Sequence, residues 1–149
     1  MSSVSLARIL SLVSLAAFTA LSSLATPVAH AEGATAKNRV VVQVSDNDAA
    51  KWNLALNNAR NLQSDLGAAN VDIEIVAYGP GIGMLKSESV VGNRVAEALG
   101  KGVSVSACEN TMHGQKLAKA DMLDGIGYVR AGVVEIMQKQ QQGWAYLRP

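Results

Sequence analysis

Short runs of β-branched apolar residues alternate along this chain with longer amphipathic stretches, and glycine or acidic clusters separate them. Arg39-Val40-Val41-Val42-Gln43-Val44 is nearly continuous apolar sequence, which predicts a strand buried on both faces of a parallel sheet. Ser45, Asp46, Asn47 and Asp48 follow, offering several N-caps and early negative charge to a helix over 49–66. That helix sets Ala55, Ala59, Leu62 and Leu66 on one face, and Gly67 stops it. Residues 71–78 alternate polar and apolar and then become fully apolar, predicting a second strand with one partly exposed side. The turn Gly79-Pro80-Gly81-Ile82-Gly83 ends it, and Met84 and Leu85 begin a short helix or an irregular segment. A helix over 91–99, closed by Gly100 and Gly102, leads to a third strand over 103–107 that delivers Cys108. Asn110 or Thr111 is placed to cap a further helix running to about Ala120. Asp124-Gly125 makes a turn, 126–129 a short fourth strand, 133–138 the opening of another helix, and 144–147 a terminal aromatic strand after Gly143.

Strand and helix thus alternate about every dozen residues. The pattern calls for a three-layer α/β/α fold: a single small domain with a mostly parallel five-stranded sheet wrapped by helices on both faces. No internal repeat and no second domain is visible.

The amino-terminal stretch changes where this domain is expected to work. One early cation, Arg8, precedes an apolar run from Ile9 to Leu24, and small residues stand at Ala29 and Ala31. These features predict a secretory signal over 1–31, cleaved after Ala31, with a periplasmic or secreted domain over 32–149 beginning in a short polar lead-in. Serines and threonines interrupt the run, which argues against an uncleaved membrane anchor. Cleavage removes only Arg8 among the charged residues and leaves twelve basic and twelve acidic side chains. That balance carries no electrostatic footprint for nucleic acid or an anionic membrane, and it does little to oppose self-association.

Cys108 is the only cysteine, and in an oxidising compartment most cysteines pair. It lies where a strand's carboxyl end meets a helix start, the place where open α/β sheets put their chemistry and where thiolates are stabilised. An exposed thiol of low pKa there suits sulfur transfer, which needs no metal or other cofactor. Glu109 opposes this if its carboxylate turns toward the sulfur. Packing as a small buried hydrophobe is the alternative reading of Cys108.

Other candidates surround it. His113 is the only histidine after the leader and is a potential proton donor or acceptor, or else a surface residue. One Cys and one His fall short of the ligands zinc requires, so no metal site is expected within a subunit. Asp46 sits on the carboxyl edge with Asn47 and Asp48, orienting a polar ligand or proton, or simply capping. Trp52, Asn53, Asn57 and Asn61 form a polar helix edge, read as a subunit contact or a solvent face. The turn around Gly79 and Gly81 lacks the spacing of a phosphate loop and reads as a tight turn bringing backbone toward Cys108.

Several segments together resemble the DsrE/DsrF-like family, specifically its secreted members. They are Val44-Ser45-Asp46-Asn47-Asp48, Ile75-Val76-Ala77-Tyr78-Gly79-Pro80-Gly81, Ala107-Cys108-Glu109-Asn110-Thr111-Met112, Gly132-Val133-Val134-Glu135-Ile136 and Gln142-Gly143-Trp144-Ala145-Tyr146. The resemblance covers essentially all of the sequence after the leader. It implies a five-stranded parallel sheet, homo-trimers or hexamers, and sulfur relay in which Cys108 carries a persulfide passed between a donor and an acceptor protein. Export, and the lack of a second thiol, set this chain apart from the cytoplasmic members.

The expected function is accordingly a periplasmic sulfur carrier with Cys108 as persulfide site. Asp46 and His113 are its candidate helpers, and the amides of Glu109, Asn110 and Thr111 stabilise the charged sulfur. Two other readings stay open: an oligomeric binding or adaptor module in which Cys108 is packing, and a redox-sensing thiol.

Overall fold

The computed structural model describes residues 37–149; the predicted leader and most of the lead-in lie outside the described residues. Five strands form one sheet: β1 (Asn38–Val44), β2 (Val71–Ala77), β3 (Ser104–Cys108), β4 (Gly127–Val129) and β5 (Ala145–Leu147). Their order is β4-β3-β2-β1-β5 and every pairing is parallel. Helices α1 (Ala49–Leu66), α2 (Gly92–Gly100), α3 (Glu109–Gly114) and α4 (Gly132–Gln141) connect them. Among the described residues, no helix is long and apolar enough to cross a membrane.

The β-branched run of β1 fills both sides of the sheet, as its composition demands. Val40, Val42 and Val44 join Ile73, Ile75, Val105 and Ala107 in the main core under α1 and α2. Val41 packs with Val76 and with Ile136 of α4 on the opposite face. That second layer is thin and partly polar. Glu74, expected on a partly exposed side of β2, is buried instead, because Lys139 reaches down from α4 to its carboxylate at 2.7 Å and Ser106 donates to it at 2.7 Å. Burying a carboxylate is tolerable only with such partners.

Two local expectations change. The helix after Cys108 ends at Gly114 rather than near Ala120, since Lys116 takes a left-handed φ of 56° and the backbone turns away. The 79–83 turn extends as a 3₁₀ segment, Gly79–Leu85, that drives Ile82, Met84 and Leu85 fully into the core.

Candidate functional site

The chain winds from β1 through β4 across the sheet and then crosses back to add β5 beside β1. The helix after β3 and the helix after β4 therefore leave on different faces: Met112 of α3 joins the core beneath α1, whereas Ile136 of α4 packs on the other side. Crevices of this kind, outside the carboxyl ends of strands where the winding switches, are where open α/β sheets bind ligands. Cys108, the last residue of β3, sits in this one.

Its surroundings are polar although it is buried. Cys108 retains 5% of its surface, so the exposed thiol expected from the sequence is instead covered. It belongs to neither apolar cluster. Burial alone pushes the thiol's pKa up, but the Thr111 hydroxyl and the backbone N–H groups of Gly132, Thr111 and Asn110 outweigh that and hold it below the ordinary value. These groups belong to the starts of two helices, and the Asn110 N–H donates to Arg130 O at 3.1 Å, which ties the start of α3 to the approach to α4.

Thr111 is oriented for this role rather than for capping. The Gly79 N–H donates to Thr111 Oγ1 at 2.9 Å, which anchors to the turn after β2 the hydroxyl that lowers the Cys108 pKa. The capping expected of Asn110 or Thr111 is not seen, since Cys108 itself is the N-cap residue of α3 and no side chain caps it. Gly79 thus contributes through Thr111. Gly81 lies elsewhere: a Cβ on it would fall 2.3 Å from Val44 O, so the turn's close approach is to the end of β1, not to Cys108.

The remaining candidates separate. Glu109 turns to Lys119 at 3.8 Å, and Lys119 lies over the Tyr128 ring at 4.3 Å. His113 is exposed in the last turn of α3. Asp48, not Asp46, caps α1, accepting from the Ala50 N–H at 2.8 Å. Asp46 pairs with Lys51 at 3.1 Å and Arg148 at 3.5 Å, and the Lys51 bond chiefly holds its carboxyl below the usual range. Asp46 lies just past the end of β1, and β2 stands between β1 and β3, which ends in Cys108. Among the described residues, no group of three His, Cys, Asp or Glu side chains is placed to hold a metal ion.

Sequence reasoning missed Gly132 and Tyr78. Ala77 and Ala107 are register partners, so the next residues, Tyr78 and Cys108, stand side by side. Gly132 leaves little room for a side chain, because a Cβ would lie 3.0 Å from Tyr78 Cβ, and its N–H helps to lower the Cys108 pKa. A glycine opening an apolar helix just after a predicted strand was the available signal.

Residues 38–149 match the DsrE/DsrF-like family. Among curated proteins, none matches the chain. The structure of a protein of unknown function from Methanobacterium thermoautotrophicum is similar, with 38% identity and a TM-score of 0.72 over 76% of this chain and 100% of that one. A conserved protein of unknown function from Bacteroides thetaiotaomicron shares the fold at 16% identity and TM-score 0.62, over 75% of this chain and 95% of that one. The ychN protein of E. coli does so at 15% identity and TM-score 0.61, over 76% and 99%.

Proposed function

Because this chain belongs to the DsrE/DsrF-like family, we propose that it is an exported, periplasmic sulfur carrier of the sulfurtransferase type in which Cys108 holds sulfane sulfur as a persulfide. The observation that carries this reading is a thiol at the sheet's carboxyl rim that stands outside both apolar clusters and whose pKa Thr111, Gly132 and Asn110 hold below the ordinary value. An inert core cysteine has no need of them.

The chemistry follows from that thiol. The Cys108 thiolate attacks the outer sulfur of a donor persulfide R–S–SH. An S–S bond to Cys108 forms, the donor's S–S bond breaks, and R–S⁻ leaves with the electron pair, so no outside oxidant or reductant enters. Handing the sulfur to an acceptor thiolate repeats the exchange in the other sense. N–H and O–H donors of this kind favour the anionic terminal sulfur of a persulfide as well as a thiolate. We include in this reading assembly into a homo-trimer or hexamer. Val133, Val134 and Met137, exposed on the outer face of α4, supply apolar surface that a second copy would cover.

The test is incubation of the reduced protein with thiosulfate, polysulfide or a small persulfide, followed by intact mass. Wild type is expected to gain one sulfur atom that a reductant removes, and Cys108→Ser none. A competent, reduced wild type that gains no sulfur from any donor would overturn the reading.

The 5% exposure of Cys108 favours a second reading, a binding or adaptor module with the cysteine as packing. It predicts slow alkylation of the native protein and fast alkylation after denaturation.

A further inference from the structure

Helix α4 meets β2 along two matched rows of residues. On the helix, Gly132, Ile136 and Lys139 share one face, at spacings of four and three residues. On the strand and just past its end, Glu74, Val76 and Tyr78 share one face at spacings of two. The rows run in opposite directions and meet at three levels: Gly132 fits against Tyr78, Ile136 packs with Val76, and Lys139 Nζ reaches Glu74 Oε2 at 2.7 Å. Seven residues of helix rise about 10 Å while four of strand rise about 13 Å, and the long Lys139 side chain makes up the difference.

The three levels differ in what they fix. Apolar contact is non-directional, and the layer under α4 is thin, with Val41, Val76 and Ile136 as its buried members. The pair at the far end is directional. Glu74 accepts from Lys139 and, at 2.7 Å, from Ser106 Oγ, and this is the only ion pair between α4 and the sheet among the described residues. Lys139 is steadied in turn by Glu135 at 3.5 Å and lies over the Trp144 ring at 4.2 Å. A buried ion pair adds little net stability over apolar side chains of similar size, and its best-attested use is to fix register. Here the register leads to the thiol. Tyr78, against which Gly132 fits, stands beside Cys108, and Val129, the register partner of Cys108, lies three residues before Gly132.

We propose that Glu74 and Lys139 are positioning residues for Cys108: their pair fixes where α4 lies along β2 and so seats Gly132 at the thiol end of the sheet. The inference rests on the reading of Cys108 as the reactive group and deepens it. Both residues act through two turns of helix, not by contact with the sulfur. Since the Gly132 N–H is one of the groups that lower the Cys108 pKa, a displaced α4 is expected to leave that pKa higher.

The test compares pH profiles of iodoacetamide alkylation of the native thiol in wild type and three variants, each first shown to be folded by circular dichroism. Glu74→Gln with Lys139→Met removes both charges together. Its midpoint is expected to rise, and its rate at pH 7, taken relative to its own high-pH plateau, to fall about 2–10-fold, as for loss of one hydrogen bond. Scaling to the plateau separates the thiol's titration from any change in its exposure. Lys139→Met is expected to act in the same direction, so either variant suffices if the other folds poorly. Val95→Ala weakens the core on the other face of the sheet and is expected to keep the wild-type midpoint. Wild-type midpoints in the folded charge variants, or an equal rise in Val95→Ala, would overturn the proposal. Sulfur uptake is read separately: a wild type that titrates as expected yet gains no sulfur defeats the persulfide reading alone.

Discussion

Gly81→Ala is expected to leave little folded protein. A Cβ at that position would lie 2.3 Å from Val44 O, 2.6 Å from Val44 C and 2.8 Å from Ser45 N, all backbone atoms. The end of β1 is held in place, because Val44 pairs with Ala77 of β2 and its carbonyl accepts from the Tyr78 N–H at 3.1 Å. The turn must move instead, and it carries Ile82, Met84 and Leu85, each at most 1% exposed. Steric overpacking alone costs about 1–3 kcal/mol, and partial withdrawal of three buried side chains adds a comparable amount. Total loss of about 2–6 kcal/mol takes away a large share of the 5–15 kcal/mol typical of such a domain, an order-of-magnitude range. Urea unfolding monitored by circular dichroism checks this, with Gly100→Ala as control. No atom lies within 4 Å of a Cβ on Gly100, so that variant is expected to match wild type or exceed it slightly.

Lys139→Met is expected to be the next most damaging change. It leaves Glu74, itself 5% exposed, with only the Ser106 hydroxyl as partner beneath α4. Removing one member of a buried pair costs about 3–5 kcal/mol, because the remaining charge is uncompensated. The double variant Glu74→Gln with Lys139→Met is expected to recover much of the loss, which a double-mutant cycle measures. Burial by itself pushes the Lys139 pKa down, but the bond and charge of Glu74, helped by Glu135, reverse this and hold it above the usual value. A raised folded-state pKa gives stability that is fully present below the unfolded value and lost as pH rises through the folded one. The deficit of Lys139→Met relative to wild type should therefore stay constant from neutral pH to about 10 and shrink only above it. A deficit that already shrinks as pH rises from 8 to 9, where Lys139 of the wild type keeps its charge, would contradict this account.

Much of the architecture was legible because it is written in local pattern. The helix over 49–66 begins and ends where Asp48 and Gly67 place it, and all five strands follow from apolar runs of the expected length. What escaped depends on contacts between distant residues. Alternation in β2 suggested an exposed side, and only Lys139, far along the chain, makes burial of Glu74 possible. The glycines after β2 signalled a tight turn, but nothing local says that Gly81 presses on Val44. At the site, Cys108 and Thr111 were visible as neighbours in sequence. Gly132 was not, since its N–H arrives from a helix that crosses the opposite face of the sheet. The helix predicted to reach Ala120 failed for a local reason, the left-handed turn at Lys116 that follows Gly114 and Gln115.

The central claim is that the pKa of Cys108, though the residue is buried, is held below the ordinary thiol value by polar groups at the starts of two helices. Its most direct test is the pH dependence of alkylation of the native protein by a small neutral reagent such as iodoacetamide, followed by intact mass with Cys108→Ser as blank. The rate is expected to rise with a midpoint below the ordinary thiol value, and Thr111→Val to move that midpoint up. A native thiol that reacts only after denaturation, or one whose midpoint lies above the ordinary value and ignores Thr111, would contradict the account.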